Sequence, residues 1–320
     1  MQPTSPTQAN AVSTPSTSAL AGVLGQSAPD PAAIAALAVR GVAHIATLPD
    51  ITISIIEIVE NPSSSAQDLN KVIANDPALS ARILKVVNSA FYGLPRQIGS
   101  INRAISLLGL NAVKNLAIAA SLAKLFKGGS LGSRFDAKDL WTHSVAVAAV
   151  SKVIATNLKL SFADEAFLAG LLHDIGLMVE LQSEREKFGT IVQKMDLDKE
   201  GKPLCDFLEV ERSVLGCDHG IYGAALCEAW KFPKSFTNVC GHHHDPLKLP
   251  ADLRTLTWIV HVADRLAVSA QKKGFRLDVM SCDITEEAIA SIGMTPDGLA
   301  HIRASLPAML DGVEAQFGTG

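Results

Sequence analysis

The chain has 320 residues, 48% of them hydrophobic and 19% charged, so it can bury a substantial core in one large domain or two. A net charge of -4 and a pI near 6.1 supply no broad basic surface for a phosphate backbone, which argues against nucleic acid as a partner. Mean hydropathy is +0.24, yet the longest apolar runs, such as Val145 to Val150, fall far short of the roughly 18 residues a membrane span requires.

Residues 1 to 29 are rich in Ser, Thr, Pro, Ala and Gln and contain no charged residue, so they read as a disordered tail that buries too little apolar surface to offset its ordering entropy. Asp30-Pro31 reads as an N-cap with a first-turn proline, and Ile34, Leu37, Val42 and Ile45 supply the apolar face of a first helix. Residues 51 to 60 are β-branched, but Ile51, Ile55, Ile58 and Val59 recur at helical spacing and Asn61-Pro62 closes the segment, which predicts a helix. Ser64 followed by Gln67 resembles a capping box for a helix through Leu69, Val72 and Ile73. Asp76-Pro77 starts another, with Leu79, Ile83, Val86 and Val87 inside. Gly93 and Pro95 make residues 88 to 95 a turn, with Phe91 and Tyr92 packed beneath it or, as the alternative, forming a ligand-stacking pair. Ser100 and Asn111 open two further helices, ending near Gly109 and Phe126.

Residues 127 to 134 are rich in Gly and Ser and divide the chain into two halves. Asp136 caps a long helix to about Asn157 that carries His143. Ser161 and Asp164 cap the next, which ends in His173-Asp174, where Gly176 is expected to let the backbone leave. Helices follow over 183 to 195 and 203 to 211. Asp218 is the N-cap of a helix starting at His219, in which Gly220 and Gly223 permit close approach of another helix. Pro233 starts the helix that delivers His242 and His243, with His244 facing water. Asp264 lies on a helix from about Leu253 to Ala270, and two more cover 285 to 292 and 296 to 316. Strands do not alternate with helices, and no Gly-rich phosphate loop or nucleophile elbow is present. The predicted fold class is all-α, in two packed helical lobes.

The chemistry centres on Leu171-Leu172-His173-Asp174-Ile175-Gly176, because a His-Asp pair in an apolar run is costly to bury without a partner. Neighbours on a helix point about 100° apart, so both could reach one ion only if other elements supplied further ligands. His143, His219, the run His242-His243-His244 and Asp264 are available. Six of the nine histidines fall in or beside this series. Imidazole and carboxylate suit divalent iron, manganese or zinc, as one ion or as two sharing a bridging carboxylate. The alternative is a set of core hydrogen-bonders that satisfy one another. The five cysteines, Cys205, Cys217, Cys227, Cys240 and Cys282, are odd in number and lack a Cys-x-x-Cys pair. Free thiols in a reducing cytoplasm are expected, and the N-terminus lacks the basic and apolar regions of a secretory signal.

The order of these residues resembles the HD superfamily of metal-dependent phosphohydrolases. The segments Leu84-Lys85-Val86-Val87-Asn88-Ser89-Ala90-Phe91-Tyr92-Gly93-Leu94-Pro95 and Ile101-Asn102-Arg103-Ala104-Ile105-Ser106-Leu107-Leu108-Gly109 are similar to its HDOD branch, a bacterial signalling family related to the HD-GYP cyclic-dinucleotide phosphodiesterases. The similarity runs over about residues 40 to 270. The domain map read with it is a tail at 1–29, an HDOD domain at 30–270 and a C-terminal helical extension at 271–320. Within the domain, 30–126 is an N-terminal helical lobe and 136–270 an HD-like helical lobe. By this resemblance His143, His173, Asp174 and Asp264 hold one ion, while His219, His242 and His243 complete a second position with Asp174 bridging. Two departures stand out: Leu177 replaces the Lys that the phosphodiesterase branch carries after its His-Asp-x-Gly motif, and His244-Asp245-Pro246-Leu247 replaces its Gly-Tyr-Pro region. The resemblance therefore implies a non-enzymatic, cytoplasmic signalling module, without catalytic residues of its own, that binds partner proteins or a nucleotide and carries a structural or sensing metal. The alternative is a metal-dependent phosphohydrolase acting on a nucleotide or cyclic dinucleotide.

Overall fold

A computed structural model describes residues 29–42, 48–61, 63–89, 91–126, 129–132, 134–271 and 274–317. Residues 1 to 28 of the expected tail, and Ile45, lie outside the described residues. Among those described, the secondary structure is helical apart from two isolated bridges, Ser130 with Asp136 and Leu197 with Pro203. No helix among them is long and apolar enough to cross a membrane.

The first lobe is built from α2 (Asp50–Glu60), α3 (Ala66–Ala74), α4 (Pro77–Val87), α5 (Ile101–Leu108) and α6 (Leu110–Leu122). Their starts follow from local chemistry, since Ser65, Asp76 and Ser100 each accept a hydrogen bond from a first-turn amide. The capping box is Ser65 with Asp68, one residue beyond the expected Ser64 and Gln67. Leu69, Ile73, Leu79, Ile83, Val113 and Leu116 are buried between the helices. Helix α6 is buried along most of its length because it packs on α2, α4 and α5 and also meets the second lobe.

The second lobe surrounds α7 (Ala137–Asn157), with α8 (Ala163–Leu172) and α14 (Thr255–Ala270) packed on it. Beside them lie α9 (Ile175–Ser183), α10 (Arg185–Lys194), α11 (Phe207–Leu215), α12 (His219–Ala229) and α13 (Lys234–His242). Two C-terminal helices follow, α15 (Glu286–Ser291) and α16 (Pro296–Phe317), and α16 packs on α7. The first helix, α1 (Pro31–Gly41), packs on α12 and α9 rather than on the first lobe. Its buried face is Ala35 and Val39, while Leu37 is 72% exposed, contrary to the face read from spacing. Phe91 and Tyr92 pack where the turn meets the second lobe, Phe91 against Phe167 and Tyr92 beside the Lys152 ammonium.

Candidate metal centre

His173 and Asp174 sit at a break between two helices, His173 ending α8 and Asp174 preceding the first residue of α9. Gly176 does not release the chain there; it lets α9 touch α12. A Cβ at Gly176 would lie 1.8 Å from the His219 carbonyl oxygen and 2.7 Å from the Gly223 nitrogen. Across α12, a Cβ at Gly220 would meet the Cys240 carbonyl oxygen at 3.1 Å and one at Gly223 the Cys240 Cβ at 3.2 Å, so α13 also packs closely. These glycines draw the helices bearing Asp174, His219 and His243 to one place. Asp218 starts α12 as expected, accepting from the Ile221 amide while Arg212 grips its other oxygen at 2.7 Å. Ser161 does not cap α8, whose first turn has no side-chain cap.

Asp174 divides its oxygens between two sets of imidazoles. Oδ2 lies 3.2 Å from His173 Nε2 and 3.7 Å from His143 Nε2, and His143 Nε2 is 3.2 Å from Asp264 Oδ1. Oδ1 lies 3.2 Å from His243 Nε2 and 3.6 Å from His219 Nε2. His219 Nε2 is in turn 3.4 Å from His243 Nε2 and 3.0 Å from His244 Nε2. Donors around one ion at about 2.1 Å stand about 3.0 to 3.4 Å apart in octahedral or tetrahedral geometry, so the spacings suit two adjacent ions.

The far side of three rings is held so that Nε2 faces the centre. His173 Nδ1 donates to the Gly170 carbonyl at 2.7 Å, and His243 Nδ1 to the Cys240 carbonyl at 3.0 Å. His219 Nδ1 faces both oxygens of Glu211 at 2.9 and 3.0 Å. Such partners orient metal-binding histidines and raise their basicity. The donor atoms themselves are left without hydrogen-bond partners: His143 Nε2, His173 Nε2 and both oxygens of Asp174, Asp264 and Asp278 are buried and unbonded. Buried polar groups are normally paired, and this convergence of orphans is what a divalent ion would satisfy. The donors present therefore fit the metal.

The protonation states reflect the same crowding. Burial disfavours charge on His143, but Asp264 and Asp174 outweigh it and raise its pKa to about 9. His219 is likewise raised to about 10 against the effect of burial, by Glu211 and Asp174. Burial pushes the Asp174 carboxyl up, yet His173, His243 and His219 hold it well below the carboxylate range. Burial and the neighbouring imidazoles lower His244 well below its ordinary value. Glu180, buried behind the site against Glu211, is pushed well above the carboxylate range by burial first and by that neighbour second.

Of the residues read from sequence, the structure brings together His143, His173, Asp174, His219, His243 and Asp264. It does not bring His242 in. Successive positions at the end of α13 point in different directions, so His242 lines a cavity with Asp218 and Lys248 that His243 and His244 also border, and stays outside the two groups of donors. His244, expected in water, takes the place beside His219, with its side chain 15% exposed. Glu211 and Asp278 were missed. Glu211 is fully buried one turn from the end of α11, and Asp278 lies between two apolar residues in Leu277-Asp278-Val279, which was the available signal.

Fold and site together define an all-helical protein with a buried His/Asp centre of the HD type. The chain belongs to the HDOD domain family, which matches residues 45–246. An uncharacterized protein of Treponema pallidum is 26% identical over 222 residues, covering 69% of this chain and 41% of that protein. The chain thus spans less than half the length of that relative. An HDOD domain protein of Geobacter sulfurreducens, of unknown function, superposes with a TM-score of 0.75 at 23% identity, over 89% of this chain and 98% of that one. A candidate phosphohydrolase of Shewanella amazonensis gives 0.68 at 23% identity over 88% and 98%, and a candidate metal-dependent phosphohydrolase of the same organism gives 0.54 at 22% over 87% and 99%. These likenesses establish the shared helical fold.

Proposed function

We propose that the protein is an HDOD regulatory module whose His/Asp centre holds two divalent ions, of iron, manganese or zinc, and through them a phosphate-bearing ligand of the nucleotide class. Its output passes to partner signalling proteins. The observation that carries this reading is the division of Asp174, one oxygen toward His143 and His173 and the other toward His219 and His243. When bound, the ions supply Lewis acidity and neutralise phosphate charge. A cavity of about 620 Å³ reaches His244 and Asp278; Arg212, Lys248 and Arg265 line it together with the carboxylates of Asp206, Asp245, Asp283 and Glu287, so a phosphate ester there would depend chiefly on the ions. Leu177, fully buried in the first turn of α9, offers no proton to a leaving group, which favours holding the ligand over rapid hydrolysis.

A second reading, a phosphohydrolase acting on a nucleotide or cyclic dinucleotide, is favoured by the completeness of the donor set and by the names of the two Shewanella neighbours. Elemental analysis of protein purified without chelator, compared with the double variant His173→Ala, Asp174→Ala, tests the shared premise. One or two equivalents of metal in the wild type, lost in the variant, is expected. Binding of nucleotides without release of phosphate or linear dinucleotide supports the regulatory module. Turnover by metal-loaded protein that vanishes in His173→Ala would replace it with the enzyme. Wild type that stays metal-free after reconstitution would sink both.

A further inference from the structure

The second set of donors includes a side chain from beyond the family-matched residues. Asp278 lies in the segment between α14 and α15, which the structure ties firmly to the lobe. The Phe275 amide donates to the Asp139 carbonyl on α7 at 3.1 Å. The Phe275 ring packs edge-on to Phe135 and Phe207, with centroids 5.8 and 5.9 Å away. Leu277 and Val279 are buried on either side of Asp278. A carboxylate so placed cannot turn to water. Its side chain is fully buried, both oxygens lack a hydrogen-bond partner, and Oδ2 stands 3.5 Å from His244 Nε2.

An unpaired buried carboxylate is costly, and an anchored segment that nonetheless aims one at three imidazoles needs a reason. One donor atom from each of Asp174, His219, His243, His244 and Asp278 lies within 4.8 Å of the others, so a single ion could take all five. Charge points the same way. Two divalent ions bring four positive charges, and Asp174 and Asp264 alone would offset two; a third carboxylate on the more cationic side is electrostatically favoured.

We propose that Asp278 is the fifth protein donor of the second metal position, so that the segment after α14, and not the HDOD core alone, completes the centre; this rests on the metal reading given above. The consequence concerns access. Iron or manganese in six-fold coordination would keep a single position there for a phosphate oxygen or water. The second ion is thereby held tightly and offers little room for exchange, which suits a ligand-sensing centre better than a fast hydrolytic one.

The test uses full-length wild type and Asp278→Asn, stripped with chelator and reloaded with Mn2+, with stoichiometry and affinity read by elemental analysis and calorimetry and stability by thermal unfolding. Wild type is expected to load both positions, and Asp278→Asn to retain one ion at wild-type affinity while binding the other at least about tenfold more weakly. Metal-free Asp278→Asn should unfold at about the same temperature as metal-free wild type, since the carboxyl it replaces has no hydrogen-bond partner to lose, and should gain less from added metal. Two ions bound at wild-type affinity in the variant would overturn the assignment alone. A metal-free variant that loses stability or fails to fold would also overturn it, marking Asp278 as a structural hydrogen-bonder. A second position that stays empty in wild type overturns it as well, whereas wild type that takes up no ion at all removes the metal reading and this inference together.

Discussion

In the first lobe the buried hydroxyls of Thr52 and Ser121 meet at 2.6 Å, and the Ser121 hydroxyl donates to the Ile118 carbonyl at 2.7 Å. In the second lobe His143, Asp174, Asp264 and Asp278 are buried just as deeply, with their carboxylate oxygens unbonded. The first arrangement is complete within the chain and stabilises it; the second costs stability until something arrives to satisfy it. Arg82 Nε, the Ser89 hydroxyl and Asn115 are exceptions in the first lobe, the Asn115 amide buried without a partner at a cavity of about 80 Å³ where α6 faces Leu168 and Phe236. The contrast shows where stability was exchanged for a site: one helical layer supports, and the other holds unfilled polar chemistry in place through close glycine contacts.

The contrast can be broken most severely at Gly176. Its alanine variant would press a methyl group against backbone atoms of α12, which cannot yield as a side chain would. A loss of more than about 4 kcal/mol, or failure to fold, is expected in denaturant titration. Leu69→Ala in the first lobe should cost about 2–5 kcal/mol by cavity formation at a fully buried position. Metal bound per folded chain should stay unchanged, and a fall in stoichiometry would mean that the lobes are energetically coupled. Chelation comes next: at free metal about 100 times its dissociation constant, removing the ion should cost about 2.7 kcal/mol, read as a drop in Tm. That drop should be absent in the double variant His173→Ala, Asp174→Ala. A wild-type Tm indifferent to chelator would erase the distinction between the lobes.

Smaller effects sharpen the picture on the first-lobe side. Thr52→Val should cost only about 1 kcal/mol, since Ser121 keeps its bond to the Ile118 carbonyl. The smallest effect belongs to Asp68, whose pKa is lowered by its hydrogen bonds to the Ser65 amide and hydroxyl. A depressed carboxylate contributes stability above its unfolded pKa and loses it as pH falls through the folded one. Asp68→Ala should therefore be slightly less stable than wild type at neutral pH, and the gap should close below pH 3.8, measured by thermal unfolding across that range. A gap that persists unchanged in acid would assign the effect to helix propensity instead.

Much of the fold was legible because helix formation is a matter between near neighbours. Asp76, Ser100, Asp136 and Asp218 announce helix starts through bonds to amides two or three residues on, and the period of Leu79, Ile83 and Val86 needs no distant partner. The family resemblance, carried by His143, His173, Asp174 and Asp264 in order, pointed to a common site. What the chain order could not decide was rotation and crossing. Whether His242 or His244 turns inward depends on where α13 ends and how it lies on α12, and the geometry chose His244. Helix α1 packs on α12 and buries Ala35 and Val39, a face its own apolar spacing does not announce. Glu211 and Asp278 belong to the centre only because α11 and the segment after α14 fold back onto it. Local hydrogen bonds and periodicity determined the helices, whereas the centre is assembled from residues as far apart as His143 and Asp278, and only tertiary packing could bring them to one site.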